Sequence, residues 1–404
     1  MRAPSVNRFL RPFGPTLLYF DHNATTPTAP EVCEAIGAAL RDTWGNPSSV
    51  HRQGQRARQA LEKARRTVSS VIGATPAELV FTSGGTESNN LALLGLVRSF
   101  VRGIPGAAKH VITSAIEHPA VLECCRQLQR EGVEVTYVGV GRDGVVDVNE
   151  IGRALCAETV LVSVMHANNE VGTIQPIRGI AALIRERRAA GQGIYLHCDG
   201  VQALGKIDVD VRELGVDLYS MSAHKVYAPK GTGGLFVAAG TPLRGLQFGG
   251  RHERERRAGT ENVAGAMAFA CALGLPRERS HRDHFERLVC AELPGVEVNG
   301  CRGQRLPNTS SLTFSGVSGE SLVIALDMKG MAVSSGSACS SGSTEPSHVL
   351  LAMGRSMEEA RWGVRFSFGR ENTLEDVEAL ASAVIAAVGR LRHCAPREPA
   401  FAQV

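Results

Sequence analysis

Lysine is scarce in this chain. Lys63, Lys109, Lys206, Lys225, Lys230 and Lys329 are six of its 44 basic residues, and the other 38 are arginine. Arginine stays protonated at any working pH and serves neither as an amine nucleophile nor as a proton shuttle. A lysine does both when its surroundings lower its pKa, so each retained lysine is a candidate for chemistry. Long apolar runs are also missing: none reaches the ~20 residues of a membrane-spanning helix. The opening stretch "MRAPSVNRFLRPFGPTLL" is basic but has no clean apolar core and no small-residue cleavage site, and reads as a loose N-terminal arm. The ten cysteines include no C-x-x-C pair. Cys124 and Cys125 are neighbours on an expected helix and are poorly placed to bridge each other. That excludes a zinc framework and fits a reduced, cytoplasmic chain. No basic patch stands out either. Net charge is +4, and the densest run, "GGRHERERRAG" from Gly249 to Gly259, mixes Arg with Glu. It reads as a solvated face, and no direct nucleic-acid binding is expected.

What is present is an ordinary globular composition, 43% hydrophobic and 21% charged over 404 residues, with room for two domains. Apolar β-rich runs at 78–83, 110–114, 133–140, 159–167, 193–199, 216–223 and 233–238 alternate with helical patterns such as "ESNNLALLGLVRSF" and "GIAALIRERRAAG". The alternation predicts an α/β fold, a large doubly wound domain with a mostly parallel sheet. After about residue 265 the texture changes, and a smaller α+β domain is expected. The boundaries read from sequence are 25–265 for the large domain, with 1–24 and 266–404 forming the small one.

Ligands of open α/β sheets gather at the carboxyl ends of strands, so chemistry is expected there. "ELVFTS" runs into "GGTESNN", where Gly84 and Gly85 let a ligand approach the backbone and Thr86 opens a helix whose free N–H groups suit a phosphate. Taken alone this is equally a capped helix with two turn glycines. "GIYLHCDGVQ" ends on Asp199, with Gln202 close behind. An acid there either caps a helix or faces a group that needs a negative charge, such as a protonated pyridine nitrogen. "VDLYSMSAHK" brings Ser222, His224 and Lys225 to the next strand end. Phosphate loop, acid and lysine in that order form the set a pyridoxal phosphate enzyme needs. Lys225 would bind the cofactor covalently, and Ser222 and His224 would add phosphate donors. Lys230, in the turn "APKGTGG", is the rival lysine and reads as a surface or structural residue. "SAIEHPAV" offers His118 to lie over a flat ring, and "VMHANNEVG" offers Asn169 to a ring hydroxyl; either could instead be structural. Cys339 sits in "SSGSACSSGS", a Ser/Gly-rich loop with almost no apolar neighbours, whereas the other nine cysteines mostly lie in helical or strand contexts where a buried thiol is expected. Arg365 in "GVRFSFGR" could grip a substrate carboxylate through two parallel bonds or make a surface ion pair.

Together these residues resemble the cysteine desulfurases of the NifS/IscS type, class V of the fold-type I pyridoxal phosphate enzymes. The likeness runs through "YFDHNATTP", "GNPSSVHRQG", "FTSGGTESNN", "EHPAV", "MHANNEVGTIQP", "HCDGVQ", "SAHKVYAPKG", "RRAGTEN", "SSGSACSSGSTEPSHVLLAMG" and "VRFSFGR", in family order. It implies pyridoxal phosphate as cofactor, L-cysteine as substrate and conversion to L-alanine with sulfur left on Cys339 as a persulfide. It further implies His118 as a proton shuttle and a homodimer in which Thr260 reaches the neighbouring subunit's phosphate. A sulfur-acceptor protein such as an iron–sulfur scaffold would follow. Two departures bear on this. The chain ends soon after its last helix, with "CAPREPAFAQV", where relatives often carry a longer tail for the scaffold, and Arg251 stands where relatives commonly have a small residue. The other readings are a selenocysteine lyase or another class V aminotransferase and, from a different class, a non-catalytic phosphate- or nucleotide-binding scaffold.

Overall fold

The computed structural model describes residues 17–100, 109–276, 281–335 and 345–394. Strand β1 (Leu18–Tyr19) belongs to the smaller unit. The next seven strands build the large sheet: β2 (Leu79–Thr82), β3 (His110–Ser114), β4 (Glu134–Val138), β5 (Thr159–Ser163), β6 (Tyr195–Asp199), β7 (Leu218–Ser222) and β8 (Gly233–Val237). Their spatial order is β2-β8-β7-β6-β5-β3-β4. The β4-β3-β5-β6-β7 run is parallel, while β8 pairs antiparallel with both β7 and β2.

Successive residues of these strands alternate between two apolar layers, as the period of a strand requires. Val111, Leu161, Leu218 and Leu235 pack on one face with the helices Gly85–Phe100 and Pro119–Arg130. Ile112, Val162, Tyr219 and Phe236 pack on the other with Leu61, Val68, Ile180 and Phe269. Because both faces are covered, β3, β5, β7 and β8 are buried along their whole length. This is why they read as continuous apolar runs in the sequence.

The smaller unit is built on an antiparallel sheet of β9 (Val296–Val298), β10 (Thr309–Phe314), β12 (Ser334–Ser335) and β13 (Gly363–Ser367), ordered β12-β13-β10-β9. Strand β11 (Met331–Ala332) pairs in parallel with β1. The long helix Leu374–Cys394 and the helix Arg282–Glu292 cover the unit, and its core gathers Phe20, Phe285, Phe314, Phe366 and Phe368. The helix Val263–Leu273 crosses the 265/266 boundary read from sequence. It packs against the helices Pro30–Asp42 and Arg52–Val71, with Ala266, Ala268, Phe269 and Ala272 in the large core.

The run Gly249–Gly259 is not wholly a solvated face. Glu253 is buried in a two-bond ion pair with Arg65, at 2.6 and 2.8 Å, and also accepts the Phe81 amide at 2.9 Å. Three successive residues there, Glu253, Arg254 and Glu255, hold left-handed backbone with φ of 45°, 57° and 64°. The expectation of buried helical and strand thiols also needs correction for Cys33 and Cys290. Both lie on helices but are exposed, because they sit on faces turned away from the core. Among the described residues, no helix is long and apolar enough to cross a membrane.

Candidate active site

The carboxyl ends of β2, β6 and β7 converge on a cavity of about 290 Å³. Ten of the residues singled out from the sequence line it: Gly85, Thr86, His118, Asn169, Asp199, Gln202, Ser222, His224, Lys225 and Arg365. Thr260 does not line it and is exposed. Cys339 lies outside the described residues. Lys230 is exposed and does not reach the cavity.

Lys225 ends the short turn Ala223–Lys225 that follows β7. Its Nζ donates to the carbonyls of Asn23 and Ala24, at 2.6 and 2.7 Å. Asp199 is the last residue of β6 and is only 6% exposed. One of its oxygens accepts the Val201 amide at 3.0 Å, and the other accepts the Asn89 side-chain amide at 2.7 Å. The carboxylate is thus oriented and fixed at the wall of the cavity. Gly200 makes this possible, because a Cβ there would overlap the Tyr219 ring.

The helix Gly85–Phe100 points its N-terminus at the cavity. A Cβ on Gly85 would come within 2.7 Å of Val201 Cγ2, so only glycine keeps this corner open. Free N–H groups at the helix start, with Thr86, Ser222 and His224 nearby, form an anion cradle. His224 is held neutral: burial, with Lys225 and Lys230 adding to it, lowers its pKa to about 4. Its Nδ1 lies 3.0 Å from Thr25 Oγ1.

His118 caps the helix Pro119–Arg130, its Nδ1 accepting the Ala120 amide at 3.1 Å. An accepting Nδ1 places the proton of the neutral ring on Nε2. Burial lowers the His118 pKa, with Asp199 opposing and Lys225 reinforcing the shift. Arg365, on β13, is 1% exposed. It donates to the Asn169 carbonyl at 3.0 Å and to Asp21 Oδ1 at 2.8 Å, while its buried Nε has no acceptor among the described residues. Gln202 donates to the Asn23 carbonyl at 3.0 Å and accepts from Lys206 at 2.6 Å.

Several contributors escaped the sequence reading. Asn89 orients Asp199, the Asn23 and Ala24 carbonyls hold Lys225, and Asp21 shares Arg365. Asn23 and Asn89 lie inside quoted motifs, "YFDHNATTP" and "FTSGGTESNN", and Asn89 stands one helical turn after Thr86. Glu117, next to His118, is fully buried. Its Oε1 accepts from Ser114 Oγ at 2.5 Å and from the Met165 amide at 2.9 Å, and burial raises its pKa to about 8.

The donor set fits pyridoxal phosphate: an anion cradle at a helix start, a fixed carboxylate and a lysine amine around one cavity. The profile of the class-V aminotransferases matches residues 18–380. A cysteine desulfurase IscS of Dictyoglomus turgidum is 45% identical over 388 residues, spanning 94% of this chain and 96% of that protein. A solved NifS-like protein superposes with a TM-score of 0.83 at 35% identity, covering 93% of this chain and all of that one. A structure described as SspA in complex with cysteine gives 0.78 at 34% identity, covering 88% of this chain and all of the other. With its profile matched over most of its length, its sheet order and its strand-end lysine and acid, the chain belongs to the class-V aminotransferase family.

Proposed function

We infer that this protein is a pyridoxal phosphate-dependent cysteine desulfurase, converting L-cysteine to L-alanine and retaining the sulfur as a persulfide on Cys339. The observation that carries the reading is the pairing of Lys225 with the fixed carboxylate of Asp199 across one cavity, in a chain 45% identical to a cysteine desulfurase. When bound, pyridoxal phosphate supplies a conjugated ring that stabilises negative charge at the Cα of an amine-linked amino acid.

The chain's own residues do the rest. Asp199 would hold a ring nitrogen of the cofactor protonated. Lys225 would anchor the cofactor through its amine and take the proton from the substrate Cα. Arg365 would bind the substrate carboxylate, and Asn169 would serve the ring hydroxyl. His118, neutral with its proton on Nε2, relays the proton of the substrate thiol. Sulfur transfer balances simply. The C–S bond of cysteine breaks, an S–S bond to the Cys339 thiolate forms, and the substrate carbon keeps the electron pair and takes a proton, giving alanine. Transamination needs no such thiol, which separates this reading from an ordinary aminotransferase.

The unit is read as a homodimer in which Thr260, exposed and away from its own cavity, serves the neighbouring phosphate. The persulfide then passes to an acceptor protein, with iron–sulfur assembly the role that fits the IscS relatives.

The purified protein should be yellow, and borohydride reduction followed by peptide mapping tests the assignment of Lys225. The cofactor should be fixed to Lys225 and lost from Lys225→Arg; a colourless protein, or label on Lys230, overturns it. Mixing Thr260→Ala with Lys225→Ala chains tests the crossing. Recovery of activity in the heterodimer is expected, and its absence places Thr260 in its own chain's site.

A further inference from the structure

Two cavity residues have a buried glutamate as chain neighbour: Glu117 precedes His118, and Glu170 follows Asn169. Both glutamates are contacted by one distant pair of adjacent residues. The Ser347 hydroxyl donates to Glu170 Oε2. His348 Nε2 lies 3.0 Å from the Glu117 carbonyl; a carbonyl only accepts, so this nitrogen carries the proton. Ser347 also accepts the Leu350 amide at 3.1 Å and so caps the helix His348–Ala352. Beneath these bonds, Val349 and Leu350 pack in one apolar cluster with Ile116, which precedes Glu117, and Val171, which follows Glu170. Neither Ser347 nor His348 lines the cavity.

His118 and Asn169 enter the cavity from different loops, after β3 and β5. Each loop has its own local hydrogen bonds: His118 is held by the Ala120 amide, and Asn168 Oδ1 accepts the Glu170 and Val171 amides at 2.8 and 3.0 Å. The two loops are also tied directly, with Asn168 Nδ2 donating to the Ile116 carbonyl at 3.0 Å and Glu117 Oε1 accepting the Met165 amide at 2.9 Å; Ser347 and His348 add a second bridge from behind.

We propose that Ser347 and His348 are positioning residues, which clamp the Glu117–His118 and Asn169–Glu170 segments so that His118 and Asn169 face the cavity at a fixed spacing. The effect on turnover rests on the desulfurase reading, whereas the effect on the His118 ring does not. A hydrogen bond from His348 is needed, but its titration is not. A glutamine at 348 keeps an N–H donor for the Glu117 carbonyl, and a phenylalanine does not.

The test uses holoenzyme carrying His348→Phe or His348→Gln, each alone and combined with His118→Gln, with kcat, KM and the NMR signals of the His118 ring as readouts. Misplacement of a catalytic group by a fraction of an ångström to an ångström costs roughly 10- to 100-fold in rate. His348→Phe should lower kcat by that factor with KM nearly unchanged, and should shift the His118 resonances. His348→Gln should stay close to the parent in both. In the His118→Gln background, His348→Phe should cost little more, because the group it positions is already gone. Unmoved His118 resonances in His348→Phe overturn the proposal. So does an equal loss of rate in both backgrounds, or a His348→Gln variant as impaired as His348→Phe. A protein that makes no alanine from cysteine, yet whose His118 signals move as stated, keeps the clamp and removes the desulfurase reading.

Discussion

Replacing Glu117 with glutamine keeps the size of the side chain and removes one titrating proton beside His118. In the folded protein burial raises the Glu117 pKa from 4.5 to about 8, with Asp199 adding to the rise and the bonds from Ser114 and Met165 opposing it. Between those two values the folded chain holds a proton that the unfolded chain has released. The native state therefore loses stability as pH rises through this window, at about 1.36 kcal/mol per unit. The loss begins near pH 4.5, reaches about 3 kcal/mol at pH 7 and levels off at about 5 kcal/mol above pH 8. Glu117→Gln has no such slope. Any fixed cost of placing an amide beside the unpartnered Oε2 position is the same at every pH. For a chain of 404 residues the entropy of unfolding is about 0.85 kcal/mol per degree, so 3 kcal/mol corresponds to about 4 °C in Tm. Calorimetry of parent and variant between pH 5 and 8.5 reads the difference directly. Their Tm gap should move in favour of the variant by about 4 °C from pH 5 to pH 8. A gap that stays constant over that range would show that Glu117 is ionised in the folded protein, and the argument from its burial would fall.

Arg65→Met should strand the buried carboxylate of Glu253, which also anchors the left-handed turn at 253–255. Breaking one side of a buried pair costs about 3–5 kcal/mol, so Tm should fall by about 4–6 °C; an unchanged Tm would show the pair to be dispensable. Asp21→Asn keeps an acceptor for Arg365 but removes the negative charge 2.8 Å from its guanidinium. KM for cysteine should fall by roughly 2- to 10-fold, and a rise would mean that Asp21 acts by orienting Arg365 instead. Asn89→Ala removes the amide on Asp199, so cofactor retention measured by dialysis and absorbance should weaken; full retention would leave Asp199 oriented by Val201 alone.

Much of the large sheet was legible in the sequence because its strands are buried on both faces, and continuous apolar runs such as "HVITS" and "VDLYSMSA" stand out. The apolar run 159–167 is longer than the strand it contains. Strand β5 ends at Ser163, and the chain then turns, with the Asn168 side chain bonding the Glu170 and Val171 amides in place of a strand partner. Lys225 and Asp199 were visible because Asp199 ends an apolar strand and Lys225 closes the turn just after one, where a charge needs a reason. Their partners were not, because the bonds that hold them join residues 202 and 110 positions apart and leave no local pattern. Glu253 was hidden for a related reason: in a run of alternating charges, only the packing of Arg65 distinguishes the one that is buried. The sequence allows Arg365 either a carboxylate grip or a surface ion pair; it is buried, pairs with Asp21 and lines the cavity.

The central claim is that sulfur from cysteine passes to Cys339, and mass spectrometry of the protein after brief exposure to L-cysteine tests it most directly. The peptide containing Cys339 should gain the mass of one sulfur atom, reversibly with a thiol reductant, alongside an equivalent of L-alanine. Cys339→Ser should form neither persulfide nor sulfide while retaining its cofactor. Sulfur found on another cysteine, or alanine formed at the normal rate by Cys339→Ser, would contradict the account.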